Sequence, residues 1–215
     1  MRLEIKLFNM DCMDALREME TNAFDLAIVD PPYGIGMDGG NVGYKGNNNL
    51  EKKDWDSGAP DPLYFDELRR CSKHQIIFGA NHFIDAFPFM SNSRCWIVWD
   101  KGEGFKGRTY AEAELAWTSF DKNVKIFKHD PLAKRDYVGK IHPTQKPVAL
   151  YKWLLKNYAK EGDSILDTHL GSGSIALACH DAGYDLTGYE LDEDYFKAAL
   201  HRLDEHRKQG QFEFA

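Results

Sequence analysis

The stretch Asp167-Thr-His-Leu-Gly171-Ser-Gly173-Ser-Ile-Ala176 decides the fold. It begins at the end of a short run, Ser164 to Asp167, that reads as a strand, and Gly171 to Ala182 reads as a glycine turn followed by a helix. Glycines at 171 and 173 allow a tight turn and let a ligand approach the backbone closely. Glu190 closes the next strand, Leu186 to Glu190, 19 residues after Gly171. A carboxylate at the tip of that strand is placed to accept the hydroxyls of a ribose. Strand, glycine turn, helix, strand and carboxylate together describe half of a nucleoside site.

Charge selects the nucleoside. Asp167 stands beside the turn, where it would repel a pyrophosphate. S-adenosylmethionine carries an ammonium and a sulfonium, and both favour a nearby carboxylate. His169 in the turn reads as a packed, neutral ring. No strand follows Glu190, so the other half of the site has to come from the N-terminus. There, a strand over Leu3 to Phe8 leads into Asn9-Met10-Asp11-Cys12. Asp11 and the Cys12 backbone could meet an adenine; Asp11 alone also reads as a helix N-cap.

Further outward, the pattern is that of alternating strands and helices. Helices are expected over Asp11 to Met19, Leu63 to Cys71, Asn81 to Phe87, Pro147 to Tyr158 and Glu193 to Arg207. Strands are expected over Phe24 to Asp30, Gln75 to Phe78, Cys95 to Trp99, Glu114 to Thr118 and Val124 to Phe127. Such alternation predicts an α/β fold with a doubly wound, mostly parallel sheet in one domain spanning 1–215. Residues 34–60 are rich in Gly and Asn and lack periodicity, which predicts a mobile lid.

The buried strand ending at Asp30 runs into Asp30-Pro31-Pro32-Tyr33. The two prolines remove backbone donors, leaving the Asp30 carboxylate and the Pro31 carbonyl as acceptors for the two hydrogens of an aromatic amino group. The Tyr33 ring offers a surface on which a base can stack.

The chain has 215 residues and a net charge of −7, yet 11 Lys/Arg stand against 7 Asp/Glu from Arg94 to Lys146. That basic middle suits a polyanion. Lys101, Lys106 and Arg108 flank glycines, and Lys134, Arg135 and Lys140 fall in a second expected loop, so 100–141 reads as DNA-contacting. Cys12, Cys71, Cys95 and Cys179 have no paired spacing, which argues against a zinc site or a disulfide framework and for a reducing cytoplasm. The start of the chain has no apolar run of the secretory kind, and no stretch approaches a membrane span.

These motifs together resemble the amino-group DNA methyltransferases that act on adenine N6 or cytosine N4. Asp30-Pro-Pro-Tyr33 resembles their catalytic tetrapeptide, with Asp30 also bordering the cofactor. Asp167 to Gly173, Ser172 included, resembles their cofactor turn. His142-Pro-Thr-Gln-Lys146-Pro147 is similar to the motif preceding that turn, which implies that Thr144 and Lys146 bind the cofactor carboxylate. The motif order resembles the permuted beta class, and the resemblance implies a Rossmann-like methyltransferase fold. Gln75-Ile-Ile-Phe-Gly79-Ala-Asn81, Trp96-Ile-Val-Trp-Asp100-Lys and Glu114-Leu-Ala-Trp117 are similar to its core segments.

The resemblance implies methyl transfer from S-adenosylmethionine to DNA, of the kind found in restriction-modification, with the target base flipped from a duplex. Asp30 favours adenine N6 as the target. Cytosine N4 is the nearest alternative, followed by RNA or protein amino methylation and an inactive DNA-binding subunit. His169 departs from the usual Phe. The compact length is similar to phage members, and members of the class are often dimers, so a homodimer is an expected form.

Overall fold

The buried segments line up side by side because each is apolar on both faces, which leaves only the centre of a sheet to accommodate them. In the computed structural model, residues 3–38, 52–86, 93–108, 110–131 and 141–212 are described. Among these residues, eight strands form one sheet: β1 (Ile5–Asn9), β2 (Phe24–Val29), β3 (Ser72–Phe78), β4 (Trp96–Asp100), β5 (Ala113–Thr118), β6 (Lys125–Lys128), β7 (Ile165–Asp167) and β8 (Leu186–Glu190). Their order is β1-β8-β7-β2-β3-β5-β4-β6. All neighbouring pairs are parallel except those made by β5, which runs antiparallel to both β3 and β4. The fold is therefore α/β, with a mostly parallel mixed sheet.

Among the described residues, five α-helices cover the sheet: α1 (Cys12–Glu18), α2 (Pro62–Cys71), α3 (Val148–Tyr158), α4 (Ser174–Ala182) and α5 (Glu193–Phe212). One core cluster joins α3, α4 and α5 to the sheet through residues such as Leu150, Leu154, Ile175 and Ala199. The other joins α1 and α2 through Leu16, Phe65 and Leu68. Each fully buried Leu or Phe contributes about 1.5–3 kcal/mol. Among the described residues, no helix is long and apolar enough to cross a membrane.

Local chemistry fixes the ends. Asp11 caps α1 by accepting the Met13 N–H at 2.8 Å, and Asp61 caps α2 through the Leu63 N–H at 2.8 Å. Pro147 precedes α3 as its cap rather than opening its first turn. The expected short helix after β3 is two separate 3₁₀ turns, Ala80–His82 and Ile84–Ala86. Helix α5 runs past its expected end at Arg207 to Phe212.

Topology supplies what the C-terminal half lacks. β1 pairs in register with β8, Asn9 opposite Glu190, and the Met10 N–H donates to the Glu190 carbonyl at 3.1 Å. The N-terminal strand thus stands beside the strand tip that carries Glu190. The parallel strands end on one side of the sheet, where ligands of open α/β folds bind.

Candidate active site

A cavity of about 830 Å³ opens at those strand ends. It is lined at one end by Asp11, Cys12, Gly171, Ser172 and Glu190, and at the other by Asp30, Pro31, Pro32, Tyr33 and Glu114. Thr144, Lys146 and Lys101 also reach it. One space thus gathers most of the residues singled out by the sequence. Asp167 and Gly173 stand behind this lining: Asp167 is 2% exposed.

The turn is built as its glycines require. Gly171 and Gly173 hold φ of +52° and +70°, a region costly for residues with a Cβ. A Cβ on Gly173 would lie 3.0 Å from the Ala199 Cβ, so this glycine lets α5 close onto the start of α4. Glu190 accepts the Gly171 N–H at 2.7 Å and the Asp192 N–H at 2.9 Å. Asp167 accepts the His169 N–H at 3.0 Å. Burial pushes the Asp167 carboxyl up to about 8, against the pull of that N–H. Burial also lowers His169 to about 4, so its ring is neutral near pH 7. It packs edge-on to Tyr64 and shares a 2.9 Å hydrogen bond with Thr168.

The opposite end is a network of charges. Tyr33 donates its O–H to Asp30 Oδ1 at 2.6 Å. The Lys146 Nζ pairs with Asp30 Oδ2 and lies 3.2 Å from Glu114 Oε2. Lys101 Nζ lies 2.8 Å from Glu114 Oε1. Burial pushes the Asp30 carboxyl upward, and the Lys146 ammonium offsets part of that rise. Burial acts likewise on Glu114, but Lys146 and Lys101 outweigh it and hold Glu114 down near 2. Burial would lower Lys146; Asp30 and Glu114 prevail and keep it above the ordinary lysine value.

Lys101 was expected to face phosphates. It is instead 9% exposed, paired with Glu114 and packed 5.3 Å from the Trp99 ring centroid. A buried, paired ammonium is not available to a DNA backbone, so its place is in the cavity wall. Lys106 and Arg108 are exposed on the loop after β4, with Lys106 Nζ 2.8 Å from Glu103. Lys134, Arg135 and Lys140 lie outside the described residues. Lys146, linked by resemblance to the cofactor carboxylate, faces Asp30 and Glu114. Thr144 Oγ lies 3.1 Å from His142 Nδ1, and His142 packs against Gly171 and the Tyr195 ring.

The ends of the expected lid are fastened. Asp56 is 2% exposed. Its carboxylate accepts the N–H groups of Tyr33, Gly34 and Met37, each at 2.7 Å. Lys53 bridges Asp192 and Asp194 at 2.6 and 2.8 Å. These contacts tie both flanks of the expected lid to the site; residues 39–51 lie outside the described residues.

Three residues were not singled out by sequence as parts of the site. Glu114 was read as a strand residue in a segment similar to the family's core, with no role in the site. Asp56 was hidden among loop polar groups. Gly79, with φ of +65°, leaves the space occupied by the Tyr33 ring: a Cβ there would lie 2.1 Å from a ring atom. Its signal was a glycine closing an apolar strand, which marks a close approach.

The sheet topology, the glycine turn and the proline-rich strand tip on one cavity define an S-adenosylmethionine-dependent methyltransferase. The family model described as DNA methylase, for the N6 and N4 amino enzymes, matches residues 89–201, and the chain belongs to that family. It is 25% identical to the type II methyltransferase M.HpaI of Haemophilus parainfluenzae, an alignment covering 94% of this chain and 75% of the relative. It is 26% identical to the type II methyltransferase M2.DpnII of Streptococcus pneumoniae, over 92% and 89%. Among solved structures, the fold is similar to M1.HpyAVI in complex with S-adenosylmethionine, with a TM-score of 0.61, 20% identity and coverage of 93% and 100%. It is also similar to the cytosine-N4-specific PvuII DNA methyltransferase, with a TM-score of 0.62, 11% identity and coverage of 93% and 86%.

The chain's residues fit the cofactor. Around the turn lie carboxylates and small hydroxyls, a donor set that suits a cationic nucleoside and opposes a pyrophosphate. The buried, raised Asp167 is a carboxyl with no ion-pair partner among the described residues, felt only at a distance by Lys146, and a cation arriving nearby would stabilise its charged form.

Proposed function

We propose that the protein methylates the N6 amino group of adenine in DNA, with Asp30 carrying the transfer and the base turned out of the duplex. The placement of Asp30 supports this most: it lies at the tip of β2, on the cavity, next to two prolines that have no N–H to offer. An adenine amino group needs two acceptors, and the Asp30 carboxylate and Pro31 carbonyl are the pair read from the sequence. When bound, S-adenosylmethionine supplies an electrophilic methyl group on a positive sulfur. Asp11, Asp167 and Glu190 are the carboxylates that would hold it, with the Gly171–Gly173 turn.

Asp30 orients the amino nitrogen so that its lone pair leaves the plane of the ring. Positioning of this kind removes much of the barrier to an in-line displacement. The amino proton becomes acidic only as the new bond forms, so no separate strong base is needed. In this structure both Asp30 oxygens already have partners, the Tyr33 hydroxyl and the Lys146 ammonium. Each carboxylate oxygen has a second lone pair, and that spare capacity is what the incoming amine uses. The Tyr33 ring stacks 5.0 Å from His82, nearly parallel. Tyr33 also lines the cavity, where its ring is the surface proposed for stacking. Extruding the base costs roughly a few kcal/mol, and stacking returns about 1–3 kcal/mol.

Cytosine N4 presents the same pair of amino hydrogens, so the two readings share a mechanism. Incubation with duplex DNA and labelled cofactor, followed by digestion to nucleosides and mass analysis, separates them. N6-methyladenine is expected; N4-methylcytosine would move the target base and leave the role of Asp30 standing.

A further inference from the structure

We propose that Glu114 is a positioning residue: held by Lys101, it shares the Lys146 ammonium with Asp30 and so keeps the Asp30 carboxylate open to the incoming amino group. This rests on the reading of Asp30 as acceptor of the target amine. Four charges alternate in sign along one line, Lys101, Glu114, Lys146 and Asp30, and each comes from a different segment. Lys101 follows β4, Glu114 lies on β5, Lys146 precedes α3, and Asp30 follows β2. The antiparallel β5 makes this possible. Its register sets Glu114 opposite Trp99 and Ala113 opposite Asp100, and Lys101 donates its N–H to the Glu112 carbonyl at 2.9 Å.

Buried ion pairs are expensive to desolvate and are poor devices for stability alone. A pair of Asp30 and Lys146 would balance its own charge. Adding Glu114 and Lys101 leaves the net charge unchanged but divides the ammonium between two carboxylates, 3.2 Å from one and in direct contact with the other. A divided ammonium holds Asp30 less tightly. The remaining groups facing the cluster are the Tyr33 hydroxyl, 3.5 Å from Lys146 Nζ, and the electrostatic neighbours Tyr64, Tyr151 and Asp167. None of these supplies a second cation.

The chain gives opposite signs to two substitutions. In Glu114→Gln, Lys146 turns wholly to Asp30 and a negative neighbour is lost. The single-turnover rate falls about tenfold, the scale of one altered hydrogen bond, while its acid limb moves down by about 1 pH unit. In Lys101→Met, Glu114 loses its outer partner and draws Lys146 away from Asp30. The acid limb then moves up. Loss of packing alone would not move the two limbs in opposite directions.

The experiment is the pH profile of single-turnover methylation for wild type, Glu114→Gln, Lys101→Met and Asp30→Ala. Circular dichroism and cofactor calorimetry on each protein confirm folding and loading. Limbs displaced in opposite directions support the chain. Limbs unmoved, or moved the same way, in folded and loaded variants overturn it. If Glu114→Gln does not fold, the Lys101→Met profile decides, an upward shift supporting the proposal and an unmoved limb overturning it. Full activity in Asp30→Ala sinks the assignment of Asp30 itself, which is a separate outcome.

Discussion

At one end of the cavity Asp30 and Glu114 face the ammonium groups of Lys146 and Lys101. At the other, Asp11 and Glu190 on the lining and Asp167 buried behind it accept backbone N–H groups, and among the described residues no lysine or arginine forms an ion pair with them. The same residue type is thus charge-balanced in one place and left short of a cation a few residues away in space. On the proposed reading the difference matches the two guests: a neutral aromatic amine would enter the balanced end without adding charge, and a cationic cofactor would complete the unbalanced end.

The most damaging change to the balanced end is expected at Gly79. Gly79→Ala puts a methyl group into the Tyr33 ring and an alanine at φ of +65°. Overpacking costs about 1–3 kcal/mol and the backbone strain about 1–3 kcal/mol more. Relief by moving the ring would displace both the stacking surface and the Asp30 partner. Thermal denaturation together with single-turnover rate should show both losses; a stable and active variant would mean that the ring has room to move without consequence.

At the unbalanced end, the expected effect depends on pH. Asp167 is raised by burial to about 8 from an ordinary 3.8. It therefore binds a proton more readily in the folded chain than in the unfolded one. Its contribution is intact below its unfolded pKa and is lost as pH rises toward about 8, at up to roughly 1.4 kcal/mol per pH unit. Asp167→Asn should escape this slope. The stability difference between variant and wild type, measured without cofactor by denaturant titration, should grow from acid to mildly basic pH. A constant difference would show that a cation already balances Asp167.

The smallest effect is expected at the Tyr33 hydroxyl. Tyr33→Phe removes its 2.6 Å hydrogen bond to Asp30 and keeps the ring, so activity should fall by less than about tenfold. Tyr33→Ala removes the ring and should fall further. Equal losses in the two rates would mean that the hydroxyl, rather than the ring, is what matters.

Much of this was legible because it is local. The glycine turn, the carboxylate at the strand tip and the proline-rich tetrapeptide each lie within a few residues, and parallel strands announce themselves by being apolar on both faces. Strand direction is not written in such a pattern, so the antiparallel course of β5 was not readable, and with it went the role of Glu114. Lys101 shows why burial is harder still. Its neighbours Gly102 and Gly104 gave it the look of an exposed loop cation, whereas its partner is carried by the adjacent strand. Asp56 was hidden for the same reason: its three acceptor contacts reach back across the segment to Tyr33, Gly34 and Met37.

The contrast between the two ends is tested most directly by measuring cofactor affinity and single-turnover methylation in parallel for Asp30→Asn and Asp167→Asn. Asp30→Asn is expected to bind S-adenosylmethionine nearly as wild type does and to lose transfer by about 10²–10³-fold, the scale of removing one preorganised polar contact. Asp167→Asn is expected to bind the cofactor weakly and to regain most of its transfer rate at saturating cofactor. The reverse pattern, with binding lost at Asp30 and transfer lost at Asp167 despite saturation, would contradict the assignment of the two ends.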